Sequence, residues 1–169
     1  MDLKEVLLKR RSVRKFTNQT VNKELIDEIL HAAMSGPSAC NRCPWEFFVI
    51  TNEEVLERLK NSSKFTKMDS KLAIVVCGNL INALPKDMAE YWIQDCSAAT
   101  ENILLRVTDL GLGAVWCGIY PQKRAISKVC ELLNLDKNII PLNLIYIGYP
   151  VEEPEARDQY DINKIHYIK

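Results

Sequence analysis

Three arginines and a serine lie within five positions near the start of the chain, in the sequence Arg10-Arg11-Ser12-Val13-Arg14. Guanidinium groups present paired donors that suit phosphate oxygens and carbonyl-rich ring edges, and a serine hydroxyl adds a short donor. The whole chain balances 22 Lys and Arg against 22 Asp and Glu, so this cluster does not follow from overall basicity. The cluster is a candidate anion site, and its alternative is a solvated basic turn after a helix.

A second candidate segment, residues 36–45, is rich in turn-forming residues and ends in a large aromatic, Trp45. Taken together, the two segments suit a ligand that is phosphorylated, planar and partly anionic. Flavin mononucleotide (FMN) fits this description. Trp45 itself is interpreted as a core aromatic rather than as a ring that stacks on the ligand.

Length and composition favour one domain over residues 1–169, because 169 residues with 47% hydrophobic content can bury a sizeable core. No segment approaches the roughly 18–20 apolar residues of a membrane span, and the N-terminus does not resemble a signal peptide. We therefore expect a soluble, cytoplasmic protein without a membrane partner. Zero formal net charge argues against a nucleic-acid partner. Small molecules or a second copy of the chain are the expected partners.

Six cysteines at irregular spacings predict reduced core thiols rather than a disulfide framework. Cys40-x-x-Cys43 could form a redox pair or half of a zinc site. No second cysteine pair accompanies it, and both histidines lie far away in sequence, so no metal site is expected. Turn residues near a ligand are the favoured interpretation of this pair.

Hydrophobic periodicity predicts an α+β domain in which helices and strands follow one another along the chain. Asp2 and Asn22 are expected to cap the first two helices, so the arginine cluster lies between them. Strands are expected at residues 47–51, 72–77, 114–117 and 139–147. Further helices are expected at residues 52–60, at 88–110, and around Ile126, Val129 and Leu133.

The predicted helix at 88–110 carries an apolar stripe and several polar residues. The polar ones are interpreted as solvated residues or interface ion pairs, because their spacing shows no paired-carboxylate geometry; they are Asp95, Glu101, Asn102 and Arg106. From Tyr149 onward the composition shifts to Glu, Pro, Asp and Lys, so the tail cannot form a core of its own. We expect it to be loose or to wrap a neighbouring subunit.

Four segments in order resemble the nitroreductase family of flavin-dependent oxidoreductases over essentially the whole chain. They are residues 10–16, residues 37–45 running into a strand, residues 111–118 after a long helix, and Gly148-Tyr149-Pro150 before an acidic tail with Arg157. Each motif is weak alone, but their order and separation are fairly specific. The resemblance implies a mostly antiparallel central sheet flanked by helices. It also implies a homodimer with an FMN in each of two interface sites and a C-terminal tail that wraps the partner.

The resemblance also implies roles for individual residues. Arg10, Arg11 and Ser12 would hold the phosphate and ribityl chain of FMN, and Arg14 would lie by the pyrimidine edge of the flavin ring. Reduction places negative charge at that edge, which a fixed cation stabilises. Arg157 would also meet the phosphate, although Glu155 replaces a neighbouring lysine that many members carry.

The same resemblance implies ligand contacts for two further segments. The loop from the partner subunit would cover the flavin through Pro37, Ser38, Ala39 and Asn41, with Cys43 where many relatives have glutamine. Trp116, Cys117 and Gly118 would pass one flavin face, and a backbone amide there would bond the ring nitrogen that accepts hydride. Only a residue without a side chain allows such a close approach. The alternative interpretation of the first segment is an ordinary loop between a helix and a strand, and that of the second segment is a simple strand end.

The implied activity is a ping-pong reaction, in which NADH or NADPH reduces FMN and a small-molecule electron acceptor then reoxidises it. The acceptor would be a nitroaromatic, a quinone or a similar conjugated compound, with Arg14 and Gly118 as the catalytic residues. Three alternatives stay open: a flavin carrier or sensor without turnover, a basic-loop interaction protein without flavin, and relatives that dehalogenate, desaturate or break down flavin.

Overall fold

A computed structural model describes residues 1–169, and its elements follow the predicted order. The helices are α1 (Leu3–Lys9), α2 (Lys23–Met34), α3 (Glu53–Leu59), α4 (Tyr91–Asp109) and α5 (Lys123–Leu133). The strands are β1 (Trp45–Ile50), β2 (Leu72–Asn79), β3 (Gly113–Gly118) and β4 (Ile139–Gly148). Single 3₁₀ turns lie at Ala39–Asn41, Lys86–Met88 and Ile162–Lys164. None of the helices combines the length and apolar character needed to cross a membrane.

The four strands form one sheet in the order β1-β2-β4-β3, and all three neighbouring pairs are antiparallel. This confirms the α+β class and the mostly antiparallel sheet. β2 and β4 occupy the centre because nearly all of their side chains are apolar and buried. β3 lies at one edge, which leaves its outer side open to another segment.

Three helices begin at the residues whose side chains cap them. Asp2, Asn22 and Asn52 accept hydrogen bonds from backbone amides in the first turns of α1, α2 and α3. The long helix begins at Tyr91 rather than at Met88, because Lys86 takes a φ of 58° and residues 86–88 form a separate 3₁₀ turn. Local side-chain chemistry therefore sets most helix starts.

A hydrophobic core fills each face of the sheet. One face packs against α2 and α4, and the other against α3 and α5. The predicted α4 stripe is buried in the first core through Trp92, Cys96, Ala99, Ile103 and Val107. Trp45 packs against the same core, as a core aromatic should. A Cβ on Gly78 would lie 2.3 Å from the Trp92 ring, so this strand position requires glycine.

The cysteines are all free, but the expectation that they are core thiols is wrong for two of them. Cys40 and Cys43 are exposed because they belong to a surface loop, whereas Cys77, Cys96 and Cys117 are buried. Burial raises the pKa of the Cys96 thiol to about 12, which keeps it protonated.

The C-terminal tail from residue 151 onward is exposed almost throughout. Three hydrogen bonds tie it to the body: the Val151 amide donates to the Lys15 carbonyl at 3.2 Å, the Arg11 guanidinium donates to the Glu155 carbonyl at 2.9 Å, and the Arg157 amide donates to the Leu8 carbonyl at 3.0 Å. Tyr160, Tyr167 and Ile168 lie in solvent, and Ile168 is 99% exposed. The tail therefore contributes no core within a single chain.

Candidate active site

A cleft of about 410 Å³ lies beside the edge strand β3. Four residues that were predicted for the site line it: Arg14, Trp116, Cys117 and Gly118. Facing them are residues of the segment 60–68, which precedes β2. The cleft thus has one wall from the sheet edge and one from a loop, with Val115, Lys64, Phe65, Lys67 and Met68 completing the lining.

The arginine segment reaches the cleft because it pairs with the free edge of β3. Ser12 forms a parallel bridge with Ala114, and the amide of Val13 donates to the carbonyl of Ala114 at 2.9 Å. Gly113 permits this approach, since a Cβ there would lie 2.8 Å from three atoms of Val13. The pairing places Arg14 at the cleft, about a hundred positions in sequence from Gly118.

Gly118 ends β3 in a position that faces open space. A Cβ built on it would meet no atom within 4 Å, so protein packing does not require glycine there. The missing side chain instead leaves room for a ligand to approach the strand backbone closely. This observation fits a flat ring lying against residues 116–118.

Cys117 lines the cleft but does not offer a reactive thiolate. Burial raises the pKa of its thiol to about 11, and the nearby Arg14 guanidinium opposes that shift only in part. The thiol is therefore protonated near neutral pH, which excludes it as a nucleophile.

Buried polar contacts hold the opposite wall of the cleft. Tyr146 on β4 donates its hydroxyl to the Thr66 carbonyl at 2.9 Å. The Thr66 hydroxyl donates to the Ser63 carbonyl at 2.9 Å and accepts from the Ser63 amide at 3.0 Å. These bonds fix a short, irregular segment and aim Lys64, Phe65 and Met68 at the cleft. Sequence reasoning missed these residues because the segment has no hydrophobic period.

Arg10 and Arg11 lie outside the cleft of the single chain. The Nε of Arg10 is 3.6 Å from a carboxylate oxygen of Glu101 on α4. The guanidinium of Arg11 donates to the Glu155 carbonyl at 2.9 Å, which draws the tail, and with it Arg157, toward this end of the arginine cluster. The structure thus brings Arg11 and Arg157 to one region, next to the segment that carries Arg14.

The loop between α2 and β1 is held against α4 and does not line the cleft of the same chain. Asp95 of α4 accepts a hydrogen bond from the Ala39 amide at 2.8 Å, and the Ser38 hydroxyl accepts one from the Cys43 amide at 2.9 Å. None of the four residues predicted in this loop lines the cleft: Pro37, Ser38, Ala39 and Asn41. Cys40, Asn41 and Cys43 adopt left-handed φ values of 50°, 53° and 45°.

The sequence profile of the nitroreductase family matches residues 7–66 and 64–149. The chain belongs to the nitroreductase family. A protein of Methanothermobacter thermautotrophicus, provisionally named NADH dehydrogenase/NAD(P)H nitroreductase, is 43% identical, and the match covers 100% of this chain and 88% of that protein.

Solved structures agree with the family assignment. A crystal structure of a Parabacteroides distasonis protein, provisionally named NADH dehydrogenase/NAD(P)H nitroreductase, has a TM-score of 0.91 and 39% identity, covering 96% of this chain and 95% of that one. The FMN-dependent nitroreductase of Clostridium difficile has a TM-score of 0.88 and 31% identity, covering 97% and 98%. This nitroreductase-family chain therefore has the same fold along nearly its full length.

Asp95 is the clearest correction to the sequence reading of this nitroreductase-family chain. It was expected to be solvated or to form an interface ion pair, but it is only 5% exposed and anchors the loop 36–44. Its spacing on α4 could not reveal this, because its partner is a backbone amide 56 positions away. Glu101 and Arg106 do form ion pairs, with Arg10 and with Glu28 and Asp109 within the chain.

Replacing Asp95 with alanine is expected to release the loop 36–44 and to lower the free energy of unfolding by about 1–3 kcal/mol. The reason is that the partly buried Ala39 amide loses its acceptor. Hydrogen exchange of that amide should accelerate, while the order of exchange rates among the amides of β2 and β4 should stay the same. Asp95→Asn retains an acceptor oxygen and serves as the control. Unchanged exchange at Ala39 in the alanine variant would contradict the anchoring role.

Proposed function

We propose that the protein is an FMN-dependent oxidoreductase that takes a hydride from NADH or NADPH and passes reducing equivalents to a nitroaromatic, a quinone or a similar conjugated acceptor. The cleft that joins Arg14 to residues 116–118 carries this proposal. Family membership and the similarity to the FMN-dependent nitroreductase of Clostridium difficile support the cofactor. Bound FMN would supply the two-electron chemistry that the side chains of the cleft lack.

The residues of the cleft fit a planar, partly anionic ring. Phe65, Met68 and Trp116 offer apolar surface, and Gly118 leaves the strand backbone accessible. Cations on both walls complement negative charge on such a ring. The cleft has an open side as well, so a second planar molecule can enter after the first ring is in place.

Arg14 and Gly118 divide the catalytic work in this proposal. The Arg14 guanidinium is exposed, and its one hydrogen bond within the chain is a long one, 3.4 Å to the Ser12 carbonyl, so its donors are free for a ligand. It would stabilise the negative charge that reduction places on the ring. Gly118 would let a backbone amide meet the ring at the position that exchanges hydride. The reduced nicotinamide and the electron acceptor would occupy the open side of the cleft one after the other, which is a ping-pong sequence.

The phosphate end of FMN would meet Arg10, Arg11, Ser12 and Arg157. Two hydrogen bonds that hold the tail beside the arginine cluster support this assignment: Arg11 donates to the Glu155 carbonyl, and the Arg157 amide donates to the Leu8 carbonyl. Several guanidinium groups can then converge on one phosphate. Arg10 is paired only loosely with Glu101, at 3.6 Å, and can turn toward an anion.

A homodimer completes the site in this proposal. Pro37, Ser38, Ala39 and Asn41 lie away from the cleft of their own chain, so they could contact FMN only from a second subunit. The apolar surface that this requires is present, since Leu3 on α1 is 69% exposed and Ile162 in the tail is 60% exposed. A two-fold interface would cover the exposed apolar surface of α1 and of the tail in each of the two subunits.

Deleting residues 154–169 is expected to weaken FMN retention by about tenfold and to shift the protein toward monomers, because the deletion removes Arg157 and the exposed apolar tail. Light scattering after gel filtration and fluorimetric FMN titration measure the two effects. Arg157→Ala in the full chain is the control: it should weaken FMN binding and leave the dimer unchanged. A truncated protein that stays dimeric and keeps its FMN would exclude the wrapping tail.

The first experiment is an absorbance spectrum of the purified protein, identification of any released chromophore, and anaerobic titration with NADH and with NADPH. Released FMN, and bleaching of the bound chromophore by either nucleotide, would support the oxidoreductase. FMN that stays oxidised with both would instead indicate a carrier or a different electron donor. A colourless protein that also fails to bind added FMN would overturn the proposal.

A further inference from the structure

A second concave surface, the basic groove, adjoins the cleft. It has a volume of about 340 Å³ and lies between the segment 61–67 and the start of α5. Its lining contains no acidic residue. Four of the residues that line it are cationic: Lys64, Lys67, Arg124 and Lys128.

None of the four cations of the basic groove forms an ion pair. The ammonium of Lys128 donates to the Asn61 carbonyl at 2.7 Å, and that of Lys64 lies 4.8 Å from the centroid of the Phe65 ring. Neither contact neutralises charge. Nearby, by contrast, Lys60 is paired with both Glu57 and Asp69.

The surrounding elements add little negative charge. The first turn of α5 has no acidic residue, and Glu131 lies in the neighbouring depression that shares Lys128 with the groove. Four cations that converge on a concave surface without a carboxylate repel one another unless an anion binds between them. The groove therefore fits a ligand with more than one negative charge.

The basic groove and the cleft share Lys64 and Lys67. A single molecule with a planar end and a multiply charged end could therefore occupy both surfaces. A reduced nicotinamide dinucleotide has this form, because its dihydronicotinamide is planar and its phosphates carry the charge. The sequence contains no Gly-x-Gly-x-x-Gly segment that would cradle those phosphates elsewhere.

We propose that the basic groove binds the phosphate groups of the reduced nicotinamide dinucleotide while its nicotinamide enters the cleft. This inference rests on the proposed function. It assigns donor recognition to Arg124 and Lys128 on α5 and to the two shared lysines. The added 2′-phosphate gives NADPH more charge than NADH, so the groove favours NADPH.

Arg124→Gln tests the proposal, because Arg124 lines the groove and not the cleft. In anaerobic stopped-flow reduction, the apparent Kd for NADPH should rise about fivefold, and the Kd for NADH should rise less. The rate constant with 1-benzyl-1,4-dihydronicotinamide, a hydride donor without phosphates, should stay unchanged. Lys137→Gln is the matched control, since it removes an exposed cation just beyond α5 and should leave every value unchanged.

Calorimetric titration with inorganic pyrophosphate separates the groove from the redox reaction. The wild-type and Lys137→Gln proteins should bind it, and Arg124→Gln should bind it about fivefold more weakly. Two results would overturn phosphate binding in the basic groove. In the first, Arg124→Gln slows reduction by the phosphate-free donor as much as reduction by NADPH. In the second, Arg124→Gln leaves the Kd values for NADPH and pyrophosphate unaltered. Failure of all three hydride donors to reduce wild-type protein would instead overturn the proposed function. The pyrophosphate titration would still show whether the basic groove binds phosphate groups.

Discussion

Replacing Gly118 with valine is expected to weaken FMN binding at least about 100-fold, equivalent to a loss of about 2.7 kcal/mol. A Cβ at this position meets no protein atom within 4 Å, so the added side chain would project into the space where the flavin ring is proposed to lie. Valine is favourable in a strand and should not lower the free energy of unfolding. Fluorimetric FMN titration and urea unfolding measure the two quantities.

Gly118→Ala provides a graded control for this prediction, because its methyl group fills less of the cleft and should weaken FMN binding less than valine does. Ser127→Val on the exposed face of α5 adds the same kind of bulk away from the cleft and should change neither quantity. FMN affinity that is equal in wild type and in Gly118→Val would show that the ring does not lie against β3.

Arg14→Ala is expected to keep the fold and part of the FMN affinity but to slow reduction by NADPH roughly 10- to 100-fold. The variant removes a cation that would stabilise negative charge on the ring. The two-electron potential of the bound FMN should fall by roughly 30–60 mV, which corresponds to about 1.4–2.8 kcal/mol. Potentiometric titration and anaerobic stopped-flow absorbance measure these effects.

Two variants isolate the contribution of Arg14. Arg14→Lys keeps the charge but loses the paired donors, so its potential should lie between those of the wild type and the alanine variant. Lys15→Ala removes the next cation along the chain, which is exposed and does not line the cleft, and should leave the potential unchanged. A wild-type potential in Arg14→Ala would place Arg14 away from the ring edge.

Much of the fold was predictable because its signals are local. Asp2, Asn22 and Asn52 start helices by capping backbone amides three positions away. The apolar run of β2 and the stripe of α4 show the periods expected of a buried strand and a buried helix face. The start of α4 was placed three residues too early, because the 3₁₀ turn at Lys86–Met88 depends on a left-handed Lys86 that no periodicity reveals.

The candidate site was predictable only in part. Its residue types were evident, since Arg14 offers donors to an anion and Gly118 permits close approach. The sequence did not show that Ser12 and Val13 would bond to Ala114, or that Tyr146 would hold the segment with Lys64 and Phe65 against the same cleft. Asp95 was misjudged for the same reason, because its partner is a distant backbone amide.

The sequence by itself therefore determined the secondary-structure elements, the family and the chemical character of the arginine cluster. The tertiary structure decided which of these residues share a surface, which carboxylate is buried, and that four unpaired cations converge beside the cleft. The physical reason is range. Caps, turns and hydrophobic periods act over three or four positions, whereas the contacts that build the cleft join residues up to about a hundred positions apart and form only when the sheet and helices pack.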